Sequence, residues 1–261
     1  EVPPEYGGWQ GEVDHLKDWL ATRSAWIDNE LVARPNASPA AGALASGEMI
    51  TLTGHRQGTV YYTTDGTDPR VSGGGVSAAA VAYSGPFTLA ESAILTIREH
   101  LPNYQPLADG PDQEWSAPAT VAYVSGQVPA SAADLVISEI MYHPSNPTEE
   151  EIAAGFSMDD EFEYIELLNR GSQPIDLFGA AFDNGIQFPF EEALSLEPQA
   201  RVVLVANRDA FVSRYGDTAT IAGVYQGRLA NSGDRLNLRA ADGTVIQTFR
   251  YNDKTPWPTE A

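Results

Sequence analysis

Between residues 9 and 34 apolar side chains recur close to every 3.6 positions: Val13, Leu16, Trp19, Leu20, Trp26, Ile27 and Leu31. That period predicts a helix, and Pro35 supplies its stop. Trp19 and Trp26 lie seven residues apart on one face, and exposed indoles are costly, so both are expected to be buried. Residues 35–47, rich in Ala, Ser, Pro and Gly, read as a linker. Beyond residue 48 the apolar pattern becomes that of strands. Strands are predicted at 49–53, 59–64, 81–83, 94–99 and 120–124, with Asp65-Gly66-Thr67-Asp68-Pro69 as a dense turn. A second small-residue linker, 125–133, precedes strands at 135–142, 162–169, 200–206, 235–239 and 245–251. Residues 144–161 form a long acidic insertion with room for one helical turn at 149–154, and 209–215 reads as a short helix.

These elements divide the chain into a helical segment, 1–36, and two β-modules, 37–126 and 127–261. The expected fold class is mainly β: two immunoglobulin- or fibronectin-like β-sandwiches in tandem with one N-terminal α-helix.

Charge narrows the partners. Asp and Glu number 36 against 15 Lys and Arg, a net charge of −21. Such a surface repels polyanions, so nucleic acid is not expected as a partner. No apolar run is long enough to cross a bilayer, so membrane insertion is not expected. The sequence holds no cysteine, which excludes disulfides, thiolate metal sites and cysteine nucleophiles. His15, His55, His100 and His143 are scattered without metal-ligand spacing. No phosphate-cradling Gly-rich loop and no Gly-x-Ser-x-Gly elbow is present. The chain reads as a segment of a longer protein.

Three stretches resemble known families. Val13-Asp14-His15-Leu16-Lys17-Asp18-Trp19-Leu20, with Arg23, Trp26, Ile27 and Asp28, resembles the final helix of bacterial CotH-type kinase domains, whose catalytic part would lie upstream. Val60-Tyr61-Tyr62-Thr63-Thr64-Asp65-Gly66-Thr67-Asp68-Pro69-Arg70, with Tyr83-Ser84-Gly85-Pro86, resembles the fibronectin-like module at the C-terminus of chitobiases and hexosaminidases, over residues 40–125. That module carries no catalytic residue in its family. Leu135-Val136-Ile137-Ser138-Glu139-Ile140-Met141-Tyr142-His143-Pro144 and Glu163-Tyr164-Ile165-Glu166-Leu167-Leu168-Asn169 resemble a bacterial lamin-tail domain. So do Ile175 to Gly179, Gly227 to Asp234 and the closing Pro256-Trp257-Pro258, and this likeness covers 134–261. It departs from the family in the length of the insertion and in ending after Pro-Trp-Pro.

The resemblances imply a non-catalytic accessory segment of a large secreted or cell-surface bacterial protein. It would serve as a spacer, attachment or binding module, with an extracellular glycan or protein as partner, and a monomer is expected. A second reading makes the modules accessories of an upstream CotH-type kinase or hydrolase, and a third makes them a calcium-stiffened adhesion module. No catalytic or cofactor-binding residue is assigned. Asp65 and Asp68 are the candidate calcium ligands, because hard carboxylate oxygens suit that ion, although a tight turn needs the same residue types. Glu139 and Glu166 form a candidate carboxylate pair for acid–base work, weighed against partial exposure or an arginine partner. Tyr61, Tyr62, Tyr83, Trp115, Tyr225 and Trp257 are candidate sugar-stacking aromatics, weighed against core packing.

Overall fold

The computed structural model describes residues 8–30, 32–104 and 114–255, without the side chains of 25–30. Leu31, Trp257 and the side chains of Trp26 and Ile27 therefore lie outside the described residues. The helices are α1 (Trp9–Glu30), α2 (Glu149–Ala153) and α3 (Arg208–Tyr215), with a 3₁₀ turn at Asp159–Phe162. In chain order the strands are β1 (Asn36–Ser38), β2 (Gly42–Leu44), β3 (Thr51–Thr53), β4 (Thr59–Thr63), β5 (Val81–Ala82), β6 (Ala93–His100), β7 (Ala119–Ser125), β8 (Leu135–Met141) and β9 (Tyr164–Asn169). They continue as β10 (Ile175–Asp176), β11 (Ala181–Asn184), β12 (Ile186–Pro189), β13 (Ser195–Leu196), β14 (Arg201–Val205), β15 (Ile221–Val224), β16 (Gln226–Gly227), β17 (Arg235–Arg239) and β18 (Val245–Arg250). The fold class is mainly β, as the sequence predicts.

The chain forms two compact units. The first comprises Glu1–Ser38, Ile50–Phe87 and Leu95–Thr120; the second comprises Pro39–Met49, Thr88–Ile94 and Val121–Ala261. Stretch 35–47, read as a linker, contributes two short strands instead. Neither β1 nor β2 exceeds three residues, too short for an alternating pattern to stand out from linker composition.

In the first unit β4 lies between β5 and β6, antiparallel to both, with Tyr62 opposite Val81 and Ile97. β1 pairs with β3. Ile50, Leu52, Val60, Leu95 and Ile97 are buried. Along α1 the packing expectation fails: Trp9, Leu16, Trp19 and Leu20 are exposed, Trp19 by 54%. The helical period is present, but within the described residues the apolar face finds no cover.

The second unit is a sandwich. One sheet has the order β15-β14-β9-β8 and the other β16-β12-β11-β17-β18. Leu135, Ile165, Leu167, Phe182, Ile186, Leu204, Leu236 and Leu238 belong to the core built from these strands. β14 is apolar at four consecutive positions because it is covered on both faces. Val202 and Leu204 enter the main core, while Val203 and Val205 meet Phe211 of α3. Asn207 caps α3, its side-chain oxygen accepting from the amides of Asp209 at 3.0 Å and Ala210 at 3.2 Å.

The acidic insertion is ordered by specific contacts. Thr148 and Glu151 form a reciprocal capping box at the start of α2. The Arg214 guanidinium, from α3, donates to both Glu151 oxygens at 2.8 Å and to the Ser145 carbonyl at 2.9 Å. It also lies 3.4 Å from the centre of the Phe162 ring.

Candidate functional site

In the turn after β4, Asp65 Oδ1 accepts from the Thr67 amide at 3.0 Å and the Thr67 hydroxyl at 2.6 Å. These bonds, the hydroxyl foremost, hold the Asp65 carboxyl below its usual range. Gly66 adopts φ +76°, which a side chain would strain. Asp68 meets Arg98 of β6 through two bonds of 2.7 Å and also accepts from the Arg70 amide at 2.9 Å. The Arg98 bond is the main cause of its lowered pKa. The two carboxylates thus shape the turn and tie it to β6. Among the described residues no three His, Asp or Glu side chains are grouped as a metal site would group them.

The aromatics separate by face. Tyr61 and Tyr62 are neighbours on β4 and point to opposite sides of it. Tyr61 meets Trp115 with ring centroids 5.7 Å apart, and His100 stacks on Trp115 at 4.3 Å. Tyr62 stacks on Phe87 at 4.6 Å, with the Tyr83 ring edge-on to Phe87. Trp115 Nε1 donates to the Gly74 carbonyl at 2.7 Å. All five of Tyr61, Tyr62, Tyr83, Phe87 and Trp115 are half-buried, so each cluster keeps some ring surface open. Tyr225 is a core residue.

Glu139 and Glu166 do come together, directly opposite on β8 and β9. Each has its own partner. The Tyr164 hydroxyl donates to Glu139 at 2.5 Å. Glu166 accepts from the Ser138 hydroxyl at 2.7 Å and from Arg201 Nε at 3.0 Å. Burial, followed by the bond to Glu139, raises the Tyr164 hydroxyl above its ordinary pKa. The arginine-paired alternative therefore describes Glu166.

Sequence reasoning missed Glu163. Its side chain is fully buried. Oε2 accepts from the Tyr225 hydroxyl at 3.0 Å and the Leu229 amide at 2.9 Å. Oε1 finds no hydrogen-bond partner among the described residues. Burial pushes this carboxyl up to about 7, outweighing both hydrogen bonds. The signal was present: Glu163, Ile165, Leu167 and Asn169 alternate with outward residues, so Glu163 continues the inward row.

Where β17 begins and β18 ends, a polar cavity of about 480 Å³ opens. Ser232, Asp234, Arg235, Arg250, Asn252 and Lys254 are among its lining residues. Gly233, at φ +112°, brings the turn so close to the chain after β18 that a Cβ would lie 2.5 Å from the Tyr251 carbonyl oxygen.

Fold and sites together define a mainly β protein built of immunoglobulin-like sandwich modules. The family comparisons agree. Residues 128–253 match the Lamin Tail Domain family model, and residues 39–98 match the Chitobiase/beta-hexosaminidase C-terminal domain model. Both matches are to non-catalytic modules. No curated protein matches the chain. Among the described residues no helix is long and apolar enough to cross a membrane.

Proposed function

We propose that this chain is the accessory part of a larger secreted or surface-exposed bacterial protein, and that it attaches that protein to extracellular polysaccharide. The carrying observation is the match of 39–98 to a module of carbohydrate-active enzymes, next to a second non-catalytic module. The side chains support the same reading. Asp65, Asp68, Glu139 and Glu166 are occupied with turns, arginines and hydroxyls, while the half-buried rings of Tyr61, Tyr62 and Trp115 offer faces on which a sugar can stack. The segment 1–36 is read as the terminal helix of a CotH-type kinase domain, which supplies the exposed face of Trp9, Leu16 and Trp19 with an upstream partner.

The test is retention of the purified protein on insoluble polysaccharides such as chitin and cellulose. Saturable retention that Tyr61→Ala or Tyr62→Ala weakens supports attachment. Absence of retention on every polysaccharide overturns it. The calcium reading at Asp65 and Asp68 is tested by calorimetry. Heat of binding that Asp65→Asn removes supports it, and a flat titration rejects it.

A further inference from the structure

We infer that the cavity at the ends of β17 and β18 binds the anionic group of an acidic saccharide, a uronate carboxylate or a sulfate ester. This inference rests on the polysaccharide-attachment reading above.

The first observation is a like-charge pair. Arg235 and Arg250 stand directly opposite in the β17–β18 ladder, and both are exposed. Like charges at that position destabilise a sheet. Lys254, four residues after Arg250, lines the same cavity.

The second observation is what these cations lack. Carboxylates outnumber basic residues by 36 to 15 in the sequence. Arg98, Arg201, Arg214 and Arg239 each make an ion pair with one. Arg235, Arg250 and Lys254 make none among the described residues, nor do Arg70, Arg170, Arg208 and Arg228, but only these three share one cavity lining. The cavity is lined by three cations and two carboxylates, Asp234 and Asp253, so its lining carries a net positive charge in an otherwise acidic chain.

The third observation is that the frame is fixed. Asp234 Oδ1 accepts from the Arg235 amide at 2.7 Å, and the Asp234 carbonyl accepts from the Tyr251 amide at 3.1 Å. Asn252 Oδ1 accepts from the Lys254 amide at 2.8 Å. Guanidinium groups match a carboxylate or sulfate through paired N–H donors. Ser232, Asp234 and Asp253, also on the lining, provide acceptors for sugar hydroxyls. The surrounding negative field disfavours long polyanions, but over a Debye length of about 8 Å it leaves a local site open to a single anionic group.

Calorimetry of the whole chain with oligogalacturonate, a sulfated dextran oligomer, neutral dextran and inorganic sulfate tests the inference. One or both acidic oligomers should bind, and neutral dextran should not. Arg250→Glu and Lys254→Gln should each weaken that binding about tenfold or more. Arg250→Glu should also raise the melting temperature, because it places a carboxylate opposite Arg235. Loss of binding with gain of stability separates the inference from simple unfolding. Unchanged affinity in both variants, binding of inorganic sulfate alone, or binding of neutral dextran as tightly as the acidic oligomers overturns it. If the protein is held on chitin or cellulose while neither acidic oligomer binds, the attachment reading stands and this site assignment falls.

Discussion

Arg214 holds Glu151 through two hydrogen bonds of 2.8 Å while its guanidinium covers the Phe162 ring. One side chain of α3 thereby fastens the acidic insertion at both its α2 end and its 3₁₀ end. The Arg214 bond is the main reason that the Glu151 carboxyl is lowered to about 2. A depressed carboxyl stabilises the folded state above its unfolded pKa, and that contribution disappears as pH falls from about 4.5 towards 2. Replacing Arg214 with Met should speed amide exchange in α2 and reduce this acid-range dependence to the part that the Thr148 amide supplies. Unchanged exchange at Glu151 to Phe156 would show that the insertion is held by other contacts.

Glu163 has the opposite sign. Its folded pKa, about 7, lies above the unfolded value, so the folded state binds the proton more tightly. Its contribution to stability is full below about 4.5, declines as pH rises to 7 and is flat above that. The shift corresponds to roughly 3 kcal/mol at most. Glu163→Gln keeps an acceptor for Leu229 and Tyr225 and adds no buried charge. The variant should match wild type near pH 4.5 and exceed it at pH 8, measured by urea unfolding. A variant less stable than wild type at pH 8 contradicts this account.

In the first unit the buried Glu99 carboxylate plays a different part. It accepts from the amides of His55 at 2.8 Å, Arg56 at 3.0 Å and Gly58 at 3.0 Å. It is acceptor-only, which suits a loop presenting three N–H groups. Glu99→Gln turns an NH₂ group towards those donors and should cost about 3 kcal/mol. Denaturant midpoints measure this directly, and a loss below about 1 kcal/mol would mean that the loop finds other acceptors.

Much of this was legible in the sequence because long strands with one buried face carry a strong period. The expectations at 59–64, 135–142, 235–239 and 245–251 differ from β4, β8, β17 and β18 by at most one residue at either end. Asn207 and Gly216 bracket α3, and the expected short helix is there. The two-residue strands β10, β13 and β16 were not legible, and neither were the four-residue β11, β12 and β15, since segments this short display little alternation. Residues 162–163 were read as strand, but Asp159–Phe162 turns as a 3₁₀ segment before β9. Of the candidate sites, the turn geometry of Asp65 and Asp68 and the arginine partner of Glu166 followed from residue chemistry. The Arg235–Arg250 opposition did not, because pairing register is set by the packed core rather than by either strand alone.

The chain should not bind duplex DNA. Arg239 is paired with Asp183 across the sheet, so the row Arg235 and Arg239 is not a free basic stripe. A duplex requires several phosphate contacts that release counter-ions. Fluorescence anisotropy at about 50 mM salt, where such contacts are strongest, should show no saturable signal. Micromolar affinity that falls steeply with added salt would reopen a nucleic-acid role.

The central claim is that this chain attaches and does not catalyse. Its most direct test is one incubation of the purified protein with insoluble polysaccharide, in which bound protein and newly released reducing ends are both counted over time. The account predicts saturable, reversible binding with a reducing-end count that stays constant. A count that rises in proportion to protein and time, or protein that remains wholly in solution, would contradict it.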